Sequence, residues 1–130
     1  MIVLDASAAI EWLLRTAAGQ RIEQRIYSRR ETLHAPDLLS LEVMQVLRRM
    51  VQRKEITDAR AEDAVEDLMN LRVGFYPHRM LVPAVWRLRH NLSAYDAAYV
   101  ALAERLDAPI VTRHNRLASA STHSAVVELF

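Results

Sequence analysis

Three acids stand where an apolar setting makes a carboxylate costly. Asp5 closes the run "MIVLD", Glu42 sits inside "LLSLEVMQVL", and Asp96 ends "LSAYD". Leu38, Glu42 and Val46 are spaced four apart, beside a row of Leu39, Val43 and Leu47, so Glu42 interrupts an apolar stripe. A carboxylate in such a place must be paired, protonated or bound to a cation. A further polar cluster, Thr112, Arg113, His114 and Asn115, abruptly ends the apolar run at Ile110 and Val111. If the acids converge, a cation has to neutralise them, and hard oxygen ligands select magnesium or manganese rather than zinc.

Each acid also has a purely structural explanation. Asp5 could cap the helix that follows it, although Ser7 is itself a plausible N-cap for a helix over 8–15. Glu42 could lie at the edge of its stripe and reach water along its stem. Ser93 to Asp96 matches the capping box, in which the third helical residue reaches back to the N-cap amide, and that would account for Asp96 completely. Taken singly the acids are ambiguous, and only their arrangement separates the readings.

The elements that must bring them together alternate. Strands are expected at 2–4, 32–35, 73–76, 109–112 and near 125–129, and helices at 8–15, 18–29, from Pro36–Asp37 to about 54, 58–70, 79–90, 93–107 and 115–120. Such alternation implies right-handed crossovers and an α/β fold with a parallel sheet covered on both faces. Sites in these sheets lie at the carboxyl ends of the strands, near the switch in strand order, which is where Asp5 and Thr112 fall. With two glycines in the chain there is no glycine-rich phosphate loop and no dinucleotide fingerprint.

The 130 residues fit a single domain, and a hydrophobic fraction of 52% fits a globular chain. The absence of cysteine excludes disulfides and thiolate metal sites. No apolar stretch approaches the ~18 residues of a membrane span, and the N-terminus opens directly on a strand, so a soluble cytoplasmic protein is expected. A net charge of +1 offers no global attraction for nucleic acid. Of the 17 basic residues all but Lys54 are arginine, and the group Arg48, Arg49, Arg53 and Lys54 reads as a solvated helix face. A receiver domain would need a late lysine, and a haloacid-dehalogenase-like phosphatase would need Asp-x-Asp where the chain has Asp5-Ala6-Ser7.

The stretches "IVLDAS", "HAPDLLSLEVMQVL", "LSAYDAAYVALAERL" and "PIVTRHNRLA" resemble, in this order, the motifs of PIN-domain ribonucleases, and most closely the VapC-type toxins of bacterial toxin–antitoxin pairs. The resemblance covers nearly the whole chain, 55–90 excepted. It implies a three-layer α/β/α PIN-like domain over 1–130, a mostly parallel sheet of about five strands, and cleavage of RNA dependent on Mg²⁺ or Mn²⁺. Asp5, Glu42 and Asp96 fall on the family's first three acidic positions. Asp5 and Asp96 would hold an ion with Glu42 as a further ligand, water-orienting group or general base, and Ser7 and Thr112 would bond the phosphate or a ligand water. The resemblance also implies a homodimer and a cognate antitoxin that covers an apolar groove.

The fourth acidic position departs from the family, because His114 stands where an aspartate is expected two residues after Thr112. His114 is open to three readings: a ligand favouring manganese, a group that orients or donates a proton, or the mark of a weakened metal site. Two functions follow, an active metal-dependent endoribonuclease toxin and a catalytically weakened PIN-like module that binds protein or RNA.

Overall fold

The computed structural model describes residues 1–120 and 122–130. Strands β1 (Ile2–Leu4), β2 (Leu33–Pro36), β3 (Val73–Tyr76), β4 (Ile110–Thr112) and β5 (Val127–Leu129) form one sheet in the order β3-β2-β1-β4-β5, with every pairing parallel. β1 and β4 are buried at every residue, as strands covered on both faces must be. The chain moves outward from β1 to β2 to β3 and then jumps back across β1 to β4. With right-handed crossovers, that reversal puts the later helices on the opposite face from the earlier ones.

The helices group accordingly. α1 (Ala6–Leu13) packs against α2 (Ala17–Ser28), α3 (Leu38–Gln52) and α4 (Asp58–Asn70), with α3 also on α4, while α5 (Val82–Arg87) packs on α6 (Ala94–Leu106), which lies against β1, β2 and β4. A short α7 (Asn115–Ser119) adjoins β5. The result is the α/β/α layering expected from the sequence. Leu39, Val43 and Leu47 of α3 and residues 97–103 of α6 supply much of the core between sheet and helices.

Several boundaries differ from the sequence expectation, most by a residue or two. α1 starts at Ala6, with Asp5 in the N-cap position and Ser7 inside the helix, so Ser7 is not the cap. The reason lies in the backbone: the Asp5 amide makes the last sheet bond to Val111 (3.0 Å) while its carbonyl already accepts from Ala9 (3.0 Å). No loop residue separates strand from helix. The helix expected over 79–90 is instead a 3-10 turn, His78–Leu81, followed by α5, because Pro83 has no N–H for a bond to the Arg79 carbonyl. β5 is shorter than 125–129, starting only at Val127.

Gly19 is required where α1 and α2 cross. A Cβ there would meet the Glu11 carbonyl oxygen at 2.0 Å, so only glycine permits the close approach that anchors α1 behind the site.

Candidate active site

Reversal of the strand order between β1 and β4 opens a crevice at the carboxyl ends of these parallel strands. Asp5 lies at that point and is only 3% exposed. Its Oδ2 accepts hydrogen bonds from Ser7 Oγ (2.5 Å), on the first turn of α1, and from Thr112 Oγ1 (2.8 Å), at the end of β4. Ser7 Oγ in turn accepts from the Arg113 amide (2.9 Å), and Thr112 Oγ1 from the His114 amide (3.0 Å). Both hydroxyl hydrogens are thus committed to Asp5, and the 3.3 Å contact between the two hydroxyls has none left to share. This network explains why the β4 strand ends on polar residues: they bind Asp5 to two backbone amides of the next turn.

Thr112 is fully buried and stands behind Asp5, outside the lining of the cleft. Asp5 Oδ1 has no hydrogen-bond partner among the described residues. It is also absent from their buried unpaired polar atoms, where only His123 Nδ1 appears, so it is open to the cleft.

Glu42 reaches the same crevice from α3, where it is half-buried. Tyr99 of α6 donates its hydroxyl to Glu42 Oε1 (2.7 Å). Burial, with repulsion from Asp5 and Asp96, lifts the Glu42 carboxyl above its ordinary range, while Tyr99 and Arg116 pull the other way. Burial and the adjacent Glu42 push the Tyr99 hydroxyl far up, so it remains a donor.

Asp96 is 7% exposed, in the first turn of α6. Half of the expected capping box is present, since Ser93 Oγ accepts from the Asp96 amide (3.2 Å). The other half is replaced: the Asp96 carboxylate accepts from Arg116 Nε (2.6 Å) and Nη2 (3.3 Å) instead of reaching back to Ser93. Helix capping therefore does not account for this carboxylate.

Asp5, Ser7, Glu42, Asp96 and His114 all line one cleft of about 830 Å³. The structure brings together every acid singled out from the sequence. His114 presents its ring there without a side-chain hydrogen bond among the described residues. The sequence reading missed four residues in the same wall: Arg49, His78, Tyr95 and Arg116. Arg49 belongs to the group read as a solvated face, and one turn of helix periodicity from Gln45 is the signal that could have placed it. His78 accepts from the Leu38 amide through Nε2 (2.9 Å), which leaves the ring hydrogen of the neutral form on Nδ1. No local pattern links His78 to α3, because their contact is made across the sheet edge.

The donor set fits a hard divalent cation. Among the described residues no three His, Cys, Asp or Glu side chains form a ready chelating cluster. Two carboxylates of low exposure on one cleft, one with a free oxygen, match an ion that keeps several of its waters.

The PIN-domain family profile matches residues 2–122 of the chain. It is a PIN-domain protein. This PIN domain is 40% identical over 129 residues to ribonuclease VapC12 of Mycobacterium tuberculosis, covering 99% of this chain and 98% of the relative. It is 41% identical over 117 residues to ribonuclease VapC9 of the same organism, covering 90% and 88%. Among solved structures it resembles PAE2754 of Pyrobaculum aerophilum (TM-score 0.70, 20% identity, 97% of this chain and 81% of the other). It also resembles M. tuberculosis VapC20, described as a sarcin–ricin loop cleaving toxin (TM-score 0.67, 15% identity, 94% and 96%). These similarities place the PIN domain in the VapC branch, and the fold is the one the four sequence stretches implied.

Proposed function

We propose that this chain is a VapC-type endoribonuclease, the toxin of a toxin–antitoxin pair, cutting an RNA phosphodiester in the cleft between β1 and β4. The observation that carries the reading is the convergence of Asp5, Glu42 and Asp96 on one cleft, where among the described residues only Asp96 of the three is ion-paired, with Arg116. Family membership and relatives named ribonuclease VapC support it. PIN-domain nucleases are in general dependent on a divalent metal, here Mg²⁺ or Mn²⁺.

Asp5 and Asp96 would hold the ion, and Glu42 completes the acidic wall. When bound, such an ion favours ionisation of an attacking water and offsets charge on the phosphate. Ser7 and Thr112 keep the Asp5 carboxylate in one orientation, Thr112 from behind the cleft and Ser7 from its wall. Glu42, with its raised proton affinity, accepts a proton from the attacking water while Tyr99 holds its other face. His114, in the lining of the cleft, is the group that orients a ligand water or gives a proton to the leaving oxygen.

The cognate antitoxin, a homodimer and a cytoplasmic setting belong to the same reading, with residues 1–130 acting as one PIN-like domain. An antitoxin partner is supported by the likeness to VapBC2 from Rickettsia felis, described as bound to a DNA fragment from their promoter (TM-score 0.67, 10% identity, 99% of this chain and 98% of the other). Among the described residues no helix is long and apolar enough to cross a membrane.

One observation favours a second reading, a weakened module that binds without efficient cleavage: His114 occupies the family's fourth acidic position. A single experiment separates them. The purified chain is incubated with total RNA in Mg²⁺, in Mn²⁺ and in EDTA, beside Asp5→Asn and His114→Asp. Cleavage in metal that is lost in EDTA, and reduced at least about 100-fold in Asp5→Asn, is expected of the toxin. No cleavage by the wild type, with cleavage gained in His114→Asp, would establish the second reading.

A further inference from the structure

An aromatic ring left exposed on a helix needs an explanation when it stands in the wall of a reaction cleft. Tyr95 is 65% exposed and lines the cleft beside Asp96, its neighbour in the first turn of α6. The other exposed aromatics are placed differently. Trp86 carries the Arg89 guanidinium 4.5 Å from its ring centroid, Tyr27 packs edge-on to Trp12 at 6.3 Å, and Phe75 does not line the cleft. Among the described residues Tyr95 has no ring partner, no cation over its face and no hydrogen bond through its hydroxyl. Exposed Leu41 and half-buried Ile10 and Val46 continue an apolar surface in the same cleft.

The cleft therefore has two chemistries side by side. The acids lie deep, Asp5 and Asp96 being almost wholly buried, with Arg49, Arg113 and Arg116 among the lining residues. A substrate must bring one phosphate down to the acids, set its flanking phosphates near guanidinium groups and cover an apolar wall. A nucleotide lifted out of its stack presents those three surfaces at once. A duplex does not, because its bases are stacked inside and its phosphates lie on a broad outer face.

We propose that Tyr95 is the platform on which an unpaired base of the RNA stacks, next to the phosphate that is cut. The proposal rests on the ribonuclease reading and deepens it: the substrate is a single strand or loop with an extruded base. Because Tyr95 is on a helix whose N-cap is satisfied by Ser93, the backbone from which the ring projects is fixed before substrate arrives. Its register next to Asp96 fixes the offset between stacked base and cleaved bond.

The test uses the full chain carrying Asp5→Asn to prevent cleavage, with Tyr95→Phe or Tyr95→Ala added. Fluorescence anisotropy measures binding to a labelled single-stranded oligoribonucleotide and to the same strand annealed to its complement. Stacking of one base predicts that Tyr95→Ala weakens single-strand binding by about 10-fold, within the ~5- to 150-fold range of such contacts, while Tyr95→Phe stays within about twofold. Duplex binding is weaker from the start and indifferent to Tyr95→Ala. The ring is exposed, so the variants keep their thermal midpoints. Single-strand affinity unchanged in Tyr95→Ala, or duplex bound as well as single strand, overturns the proposal. Loss of antitoxin affinity with RNA affinity intact would assign the ring to the protein partner and overturn it equally. Should otherwise wild-type chains with and without Tyr95→Ala cleave RNA with the same KM, only the Tyr95 role falls. Should no form bind or cleave any RNA, the ribonuclease reading falls with it.

Discussion

At Glu42 two demands oppose each other: α3 needs an apolar row against the sheet, and the proposed site calls for a carboxylate. The structure resolves them by leaving Glu42 half-buried and giving it the Tyr99 hydroxyl, a donor that was not foreseen although it lies three residues after Asp96 on the same helix. The cost is legible in proton affinity. A carboxyl raised above its ordinary value of 4.5 in the folded chain binds its proton more tightly folded than unfolded. Its contribution to stability is therefore neutral below about pH 4.5 and turns unfavourable as pH rises past it. Glu42→Gln, which keeps an oxygen for Tyr99, is expected to raise the thermal midpoint by on the order of 1–3 °C at pH 7–8 in EDTA and to match the wild type near pH 4. A midpoint difference independent of pH would exclude this account. Asp96 shows the limit of local motifs at the same scale. Ser93 does cap α6, yet the carboxylate is claimed by Arg116, a residue that only the return of the chain after β4 brings near.

Helix ends show a consequence of having so few glycines. Left-handed residues close α1, α2, α3 and α6, and all four are non-glycine: Arg15 (φ 56°), Arg30 (φ 50°), Lys54 (φ 58°) and Asp107 (φ 48°). Each end carries the paired bonds of a Schellman turn, as when the Lys54 amide donates to Val51 (3.0 Å) and the Glu55 amide to Met50 (2.9 Å). The left-handed conformation costs an L-residue roughly 1–2 kcal/mol that glycine escapes, less the freedom glycine adds to the unfolded chain. Lys54→Gly, at an exposed site away from the cleft, is expected to stabilise the protein by about 0.5–1 kcal/mol in urea unfolding with unchanged slope. A destabilised variant would show that the lysine side chain outweighs backbone strain. The element order was readable because apolar runs and periodic stripes are local. Pro83 divides the region expected as one helix, and the strand-to-helix junction at Asp5 is tighter than a serine cap implied, since sheet bonding by β4 sets it.

Across the whole molecule, the cleft exists only when β1, α3, α6 and α7 are assembled, and an unfolded chain has no equivalent site. Binding of a divalent ion is then linked to folding. Mn²⁺ at about 100 times its dissociation constant is expected to add about 2.7 kcal/mol, a rise of several degrees in thermal midpoint, and to add nothing to Asp5→Asn. An equal rise in both would place the ion elsewhere. The residues Asp5, Glu42 and Asp96, the alternation of strands and helices and the family itself could be read from the chain alone, because carboxylates in apolar runs and ordered motifs are properties of neighbouring residues. The fold then decided which groups hold those acids: Ser7 and Thr112 on Asp5, Tyr99 on Glu42, Arg116 on Asp96. It also brought Arg49, His78 and Tyr95 into the same wall. Contacts between residues far apart in sequence carry no periodicity, and they arise only when the crossover from β3 back to β4 folds the second half of the chain over the end of the first strand.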